Sequence, residues 1–137
     1  MLIANRAEDD TLNLSSVSTN DEEASFCIAE YLVKKGHKKI GVIGGNLESS
    51  RLSKRRYNGF LKALQKYSVE FDYAKNYKSA MYSMEGGYGA ARGLLETNTD
   101  LTAVFTMSDV MALGASRLFY EKGLSVPSDI SITGFDG

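Results

Sequence analysis

Apolar positions along this chain fall into two rhythms. Short apolar runs bounded by glycine or polar residues, Lys39-Ile40-Gly41-Val42-Ile43-Gly44-Gly45, Ala103 to Thr106 and Ile130 to Gly134, have the composition of strands buried on both faces. Between them lie longer stretches with apolar residues at helical spacing: Ala24, Ile28, Tyr31 and Leu32; Tyr57, Phe60, Leu61 and Leu64; Ala90, Ala91, Leu94 and Leu95; Met111, Ala115, Leu118 and Phe119. Helix starts are marked by oxygens that accept from the first free N–H groups. Thr19 with Glu22, or Asn20 with Glu23, forms a capping box, Ser83 caps the third helix and Ser108 the fourth. Gly36 ends the first helix behind a pair of lysines. A further strand is predicted at Leu2 to Ala4 and a weak one near Tyr73 to Tyr77, with loops at 7–16 and at Asn46 to Ser53. Strands alternating with helices mean βαβ units and a parallel sheet, and right-handed crossovers place helices on both faces. The expected fold is a doubly wound α/β domain.

Composition narrows this only modestly. At 137 residues and 43% apolar the chain suits one domain spanning residues 1–137. Its net charge of −1 gives no global field toward nucleic acid or an anionic membrane. A lone cysteine, Cys27, excludes an internal disulfide, and with a lone histidine, His37, leaves no Cys/His zinc set. Cys27 is expected to be a buried structural thiol. The apolar runs are too short to span a bilayer, and residues 1–10 lack a signal-peptide pattern, so a cytoplasmic location is expected. The chain stops just after a strand, which is expected of a piece of a longer protein.

Candidate chemistry begins with exclusions. Gly41 to Gly45 follows a strand but is not G-x-G-x-x-G, and there is no phosphate-binding P-loop, G-x-S-x-G or H-E-x-x-H. No cofactor and no enzymatic activity are expected. The basic run from Lys34 to Lys39 reads as a solvated corner that complements a helix end. The second run, Arg51 to Arg56, opens a helix, where cations oppose the dipole, so its charge asks for another explanation. An arginine after a strand offers paired donors to carboxylates, phosphates or vicinal hydroxyls, and Arg56 is the candidate. Tyr82, Asp109 and Asp136 also follow predicted strands. In an open parallel sheet they would share the carboxyl edge, where ligands bind. Two acids, an arginine and an aromatic ring suit a polyhydroxylated ligand. Both acids also suit a plain capping or turn role.

At these residues the chain resembles the effector-binding domain of the LacI/GalR family of bacterial transcription regulators. The resemblance runs through Asn5-Arg6; Val17 to Asn20 with Glu23-Ala24; Tyr31 to Gly45; Arg56-Tyr57-Asn58-Gly59-Phe60; Gly87-Tyr88 with Leu94-Leu95; Thr102 to Phe105 with Ser108-Asp109, Ala112 and Gly114-Ala115; and Gly123, Val126-Pro127 and Asp129 to Asp136. Thr19 departs from the family's usual Asp, and Glu23 from its usual Gly. The resemblance implies a periplasmic-binding-protein-like fold of two lobes, of which this chain is the C-terminal one, without the family's DNA-binding domain. It implies a small-molecule effector, in the family usually a sugar or nucleobase and here expected to be a sugar or phosphosugar, held by Arg56 and Asp136, with Tyr82 lining the pocket, Ser108 beside Asp109, and Asn5 at a strand end near the hinge. It further implies a homodimer that reaches DNA only through the absent domain. The alternative reading, on the same fold, is the sugar-binding protein of an uptake system.

Overall fold

The computed structural model describes residues 20–135. Their elements in chain order are α1 (Asp21–Lys34), β1 (Ile40–Gly44), α2 (Arg51–Lys66), the single helical turn α3 (Tyr73–Asn76), β2 (Tyr77–Ser79), α4 (Met84–Thr97), β3 (Ala103–Thr106), α5 (Asp109–Glu121) and β4 (Ser131–Thr133). The strands form one parallel sheet in the order β2-β1-β3-β4. The chain leaves β1 toward β2, then crosses back over it to β3. The ends of β1 and β3 therefore flank the point where the winding reverses, the place at which such sheets open a ligand crevice.

Two cores sandwich the sheet, and strand alternation sorts residues between them. Ile40 and Val42 of β1, with Ala103 and Phe105 of β3, face Ala29 and Leu32 of α1 and Phe60, Ala63 and Leu64 of α2. Ile43 and Val104 point the other way, to Ala91 and Leu94 of α4 and Met111, Ala115, Leu118 and Phe119 of α5. On the first side Phe60 meets Phe71 and Phe105 edge-on or tilted at 5.0 Å, a spacing favourable to aromatic quadrupoles.

Local rules explain most element ends. Asn20 Oδ1 accepts from Glu23 N at 3.1 Å, and its amide donates to the Glu23 carboxylate, which selects the Asn20–Glu23 pairing at the start of α1. Ser83 and Ser108 cap α4 and α5 as their spacing predicts. Gly36 takes φ +99°, where side chains with a Cβ are strained, and turns the chain from α1 into β1.

Several expectations shift. The buried stripe of α1 is Asp21, Ser25, Ala29 and Leu32, with Tyr31 exposed, because the helix presents small and polar residues to α2. Gly59 of α2 sits so close that a Cβ there would lie 2.0 Å from Glu22 O. Cys27 is exposed, since this rotation turns it outward. The helix after β1 begins at Arg51 under a Ser50 cap, inside the predicted loop. The weak strand resolves into the turn α3 followed by β2. The predicted strand at residues 2–4 lies outside the described residues.

Candidate functional site

The crevice at the winding reversal is built on Gly44 and Gly45, which close β1. A Cβ on Gly44 would fall 2.4 Å from Met107 Sδ, and one on Gly45 would fall 2.4 Å from Ser53 Oγ and 2.9 Å from the Tyr82 ring. Glycine here lets α2, the segment before α4 and the end of β3 converge on one spot. Gly45 N–H donates to Ser53 Oγ at 3.2 Å, and Ser53 Oγ lies 2.7 Å from Tyr82 Oη. Tyr82 Oη is in turn 3.7 Å from Met107 Sδ. Tyr77 of β2 donates to Gly45 O. Burial pushes the Tyr77 phenol well above its ordinary value, so it is a fixed neutral donor.

Arg56 stands at the centre of this edge. It lies in the second turn of α2 rather than in the strand-to-helix turn, and it is 1% exposed. Its Nη1 donates to Met107 O at the end of β3, and its Nη2 lies 3.4 Å from Asp21 Oδ1. The guanidinium carbon is 3.8 Å from the centroid of the Phe135 ring, a cation–π stack that ties α2 to the segment after β4. Asp21, at the first position of α1, is also 1% exposed, and its second oxygen lies 3.5 Å from Arg55 Nε. Burial outweighs both arginines and lifts the Asp21 carboxyl above the usual aspartate range.

Ser108 and Asp109 occupy the N-terminus of α5 on the same edge. Ser108, 4% exposed, accepts from Met111 N at 3.2 Å, so its hydroxyl oxygen serves as a cap. Asp109 is half-buried, and its backbone N–H donates to Phe135 O at 2.8 Å, fastening β4's exit to α5. A Cβ on Gly134 would lie 2.0 Å from Asp109 Oδ1, so that glycine makes room for the carboxylate. Arg56, Tyr82, Ser108 and Asp109 thus share one edge. Asp136 and Asn5 lie outside the described residues. Phe135 sits immediately before Asp136 in sequence.

Four participants escaped the sequence reading: Asp21, Ser53, Met107 and Phe135. Ser53 is one helical turn before Arg56 on the same face, and Met107 directly follows a strand, so both carried a usable signal. Asp21 looked like an ordinary first-turn acid, because its pairing spans 35 residues. A polar groove of about 480 Å³ lies at the opposite, amino edge of the sheet. Lys38, Lys39 and Lys75 line it with Glu70, Asp72 and Asp100, so it offers no net charge to a ligand. Among the described residues no helix is long and apolar enough to cross a membrane.

Comparisons with known proteins place this arrangement. The profile of the periplasmic binding protein-like domain matches residues 29–137. The probable HTH-type transcriptional repressor ExuR of Bacillus subtilis is 37% identical over 136 residues, covering 99% of this chain and 40% of its own. The HTH-type transcriptional repressor PurR of Actinobacillus pleuropneumoniae is 43% identical over 117 residues, covering 85% of this chain and 34% of its own. A sugar-binding LacI-family regulator from Escherichia coli, solved as a complex with phosphate, superposes with a TM-score of 0.81 at 27% identity. That match covers 99% of this chain and 48% of the other. The chain therefore spans about two-fifths or less of the curated relatives it matches. These relatives are named as repressors, which favours the regulator reading over an uptake protein. With its family profile matched over most of its length and LacI-type regulators sharing both its sequence and its parallel sheet, the chain belongs to the periplasmic binding protein-like domain family, in the form carried by LacI/GalR regulators.

Proposed function

We propose that this chain is the C-terminal, effector-sensing and dimerising lobe of a cytoplasmic LacI/GalR-type transcription regulator, whose DNA-binding domain and other lobe lie outside it. The effector is a sugar or related small molecule, held between the lobes. The observation that carries this reading is the convergence of Arg56, Tyr82, Ser108 and Asp109 on the edge where β1 and β3 end. Arg56 supplies donors, the half-exposed Tyr82 ring offers a face to sugar C–H groups, and Asp109 with Asp136 supplies acceptors for hydroxyls. Asn5, which the family resemblance assigns to the hinge side, is proposed as a further contact. Ligand binding favours the closed arrangement of the lobes, and it changes DNA affinity only to the extent that it prefers that state. In this reading the site binds its ligand and performs no catalysis.

Dimerisation is supported by the outer side of α4 and α5. Leu113 is 59% exposed, Met84 and Val110 are also exposed, and Gly114 packs on Met84 O, which places these side chains near one another. The test is a thermal-shift screen of the full-length regulator against sugars, followed by a DNA-binding titration with the hit. Asp136→Ala should abolish the effector response and leave the fold intact, and Arg56→Ala should abolish it at a cost in stability, because it takes from the buried Asp21 one of its two arginines. A response retained in both variants refutes the site assignment.

A further inference from the structure

We infer that Ser53 is a positioning residue of the effector pocket: its hydroxyl holds the Tyr82 side chain in place before any ligand arrives, with the phenol oxygen bound to the protein and the ring left for the ligand. This rests on the reading of Tyr82 as a ligand contact and adds the residue through which that contact is fixed.

The Tyr82 side chain is held at both ends. At the backbone end, Tyr82 directly precedes Ser83, the cap of α4, whose N–H donates to Met81 O at 2.8 Å. Gly86 of α4 packs on the same carbonyl, where a Cβ would lie 2.1 Å from Met81 O. The chain entering Tyr82 is therefore clamped to the first turn of α4. At the far end, the phenol oxygen lies 2.7 Å from Ser53 Oγ and 3.7 Å from Met107 Sδ. A thioether is a weak acceptor, so Ser53 is the stronger of these two holds.

Ser53 is itself fixed. It is fully buried, its N–H donates to the Ser50 cap at 3.1 Å, and its Oγ accepts from Gly45 N–H at 3.2 Å. A hydroxyl has one hydrogen and two lone pairs, so Ser53 serves Gly45 and Tyr82 at once, whichever of the two hydroxyls donates to the other. Tyr82 keeps 36% of its surface exposed, so the bond anchors the ring without burying it. A ring already held in one rotamer loses little further freedom when a ligand docks on it. Ser53 thus acts on the ligand through Tyr82, by pre-organising it.

The test is acetylation of tyrosine hydroxyls by N-acetylimidazole in the ligand-free, full-length regulator, located by tandem mass spectrometry. Reaction requires the phenol oxygen to leave its bond, so the rate reports how firmly it is held. Tyr77, 6% exposed and donating to Gly45 O, is an internal control on the same glycine. In wild type, Tyr82 should react more slowly than Tyr31, which is 57% exposed. Ser53→Ala should raise the Tyr82 rate about fivefold, the weight of one hydrogen bond, and leave the Tyr77 rate unchanged. A Tyr82 rate that does not rise shows that Ser53 does not hold the phenol, and overturns the inference. A rise shared by Tyr77 shows that Ser53 supports the whole edge rather than the ring, and overturns it too. Should the alanine variant not fold, Ser53→Cys fills nearly the same space with a weaker hydrogen-bonding group and should give a smaller rise against the same control. Wild-type Tyr82 reacting as fast as Tyr31 overturns the inference with no variant needed. This readout contains no effector, so its failure leaves the pocket reading standing. The Tyr82 contact is refuted separately, by an effector response that Tyr82→Ala retains in the DNA-binding titration.

Discussion

The same substitution, glycine to alanine within a helix, should change stability in opposite directions at two positions of this chain. Taken alone, alanine gains about 1 kcal/mol over glycine in a helix interior. At Gly89, on the exposed side of α4, an added Cβ meets nothing within 4 Å, so Gly89→Ala should realise most of that gain. At Gly59 the new Cβ would stand 2.0 Å from Glu22 O and 2.8 Å from Ser25 Cβ. Real Cβ contacts essentially never fall under 3.0 Å, so α1 must retreat from α2 by about 1 Å. The atom in the way is backbone within a helix and cannot rotate aside. Overpacking of this kind costs about 1–3 kcal/mol. The retreat also stretches the buried Asp21–Arg56 pair beyond its 3.4 Å, and an uncoupled buried charge adds about 3 kcal/mol. With the propensity gain of about 1 kcal/mol subtracted, Gly59→Ala should lose about 3 kcal/mol or more, or roughly 10 °C or more in Tm for a chain of this length. Urea denaturation of both variants beside wild type measures the two signs together. A Gly59→Ala protein as stable as wild type would refute the packing argument. A destabilised Gly89→Ala would show that its open face is covered.

Further outcomes follow from the same structure. Phe60, fully buried between Phe71 and Phe105, should cost about 3–5 kcal/mol as Phe60→Ala, read by the same denaturation assay. Burial first, with the Tyr73 charge second, pushes the Tyr57 phenol from 10.0 up to about 12. Its folded value is raised, so its contribution is complete below pH 10.0 and lost as pH rises toward about 12. Alkaline unfolding should therefore begin in that window, and Tyr57→Phe should shift it upward. Hydrogen bonds from Tyr67 and Lys66 hold the Glu30 carboxyl below its ordinary 4.5. That contribution is present above pH 4.5 and fades in more acid solution, so Glu30→Gln should flatten the acid limb of the stability profile. Under the dimer reading, Leu113→Asp should shift the full-length regulator toward monomer in sedimentation velocity, with no loss of helix content by circular dichroism.

Much of this protein was readable from its residues because the determining forces are local. Strand composition, the Ser83 and Ser108 caps, the Gly36 turn and the stripe Met111, Ala115, Leu118 and Phe119 depend on neighbours a few positions away, and they came out as predicted. The parallel, doubly wound sheet followed from their alternation, and the family from motifs in order along the chain. Tertiary packing decided what local rules leave open. Which face of α1 turns inward was set by the close approach at Gly59, which buried Asp21 and Ser25 and exposed Cys27 and Tyr31. The partners of Arg56 were decided the same way, because Asp21, Met107 and Phe135 are brought to it from α1, β3 and the exit of β4. The sequence by itself determined that an arginine would stand at the carboxyl edge of a parallel sheet. Only the folded chain determined that a buried carboxylate stands beside it, since a pairing across 35 residues leaves no periodic trace along the chain.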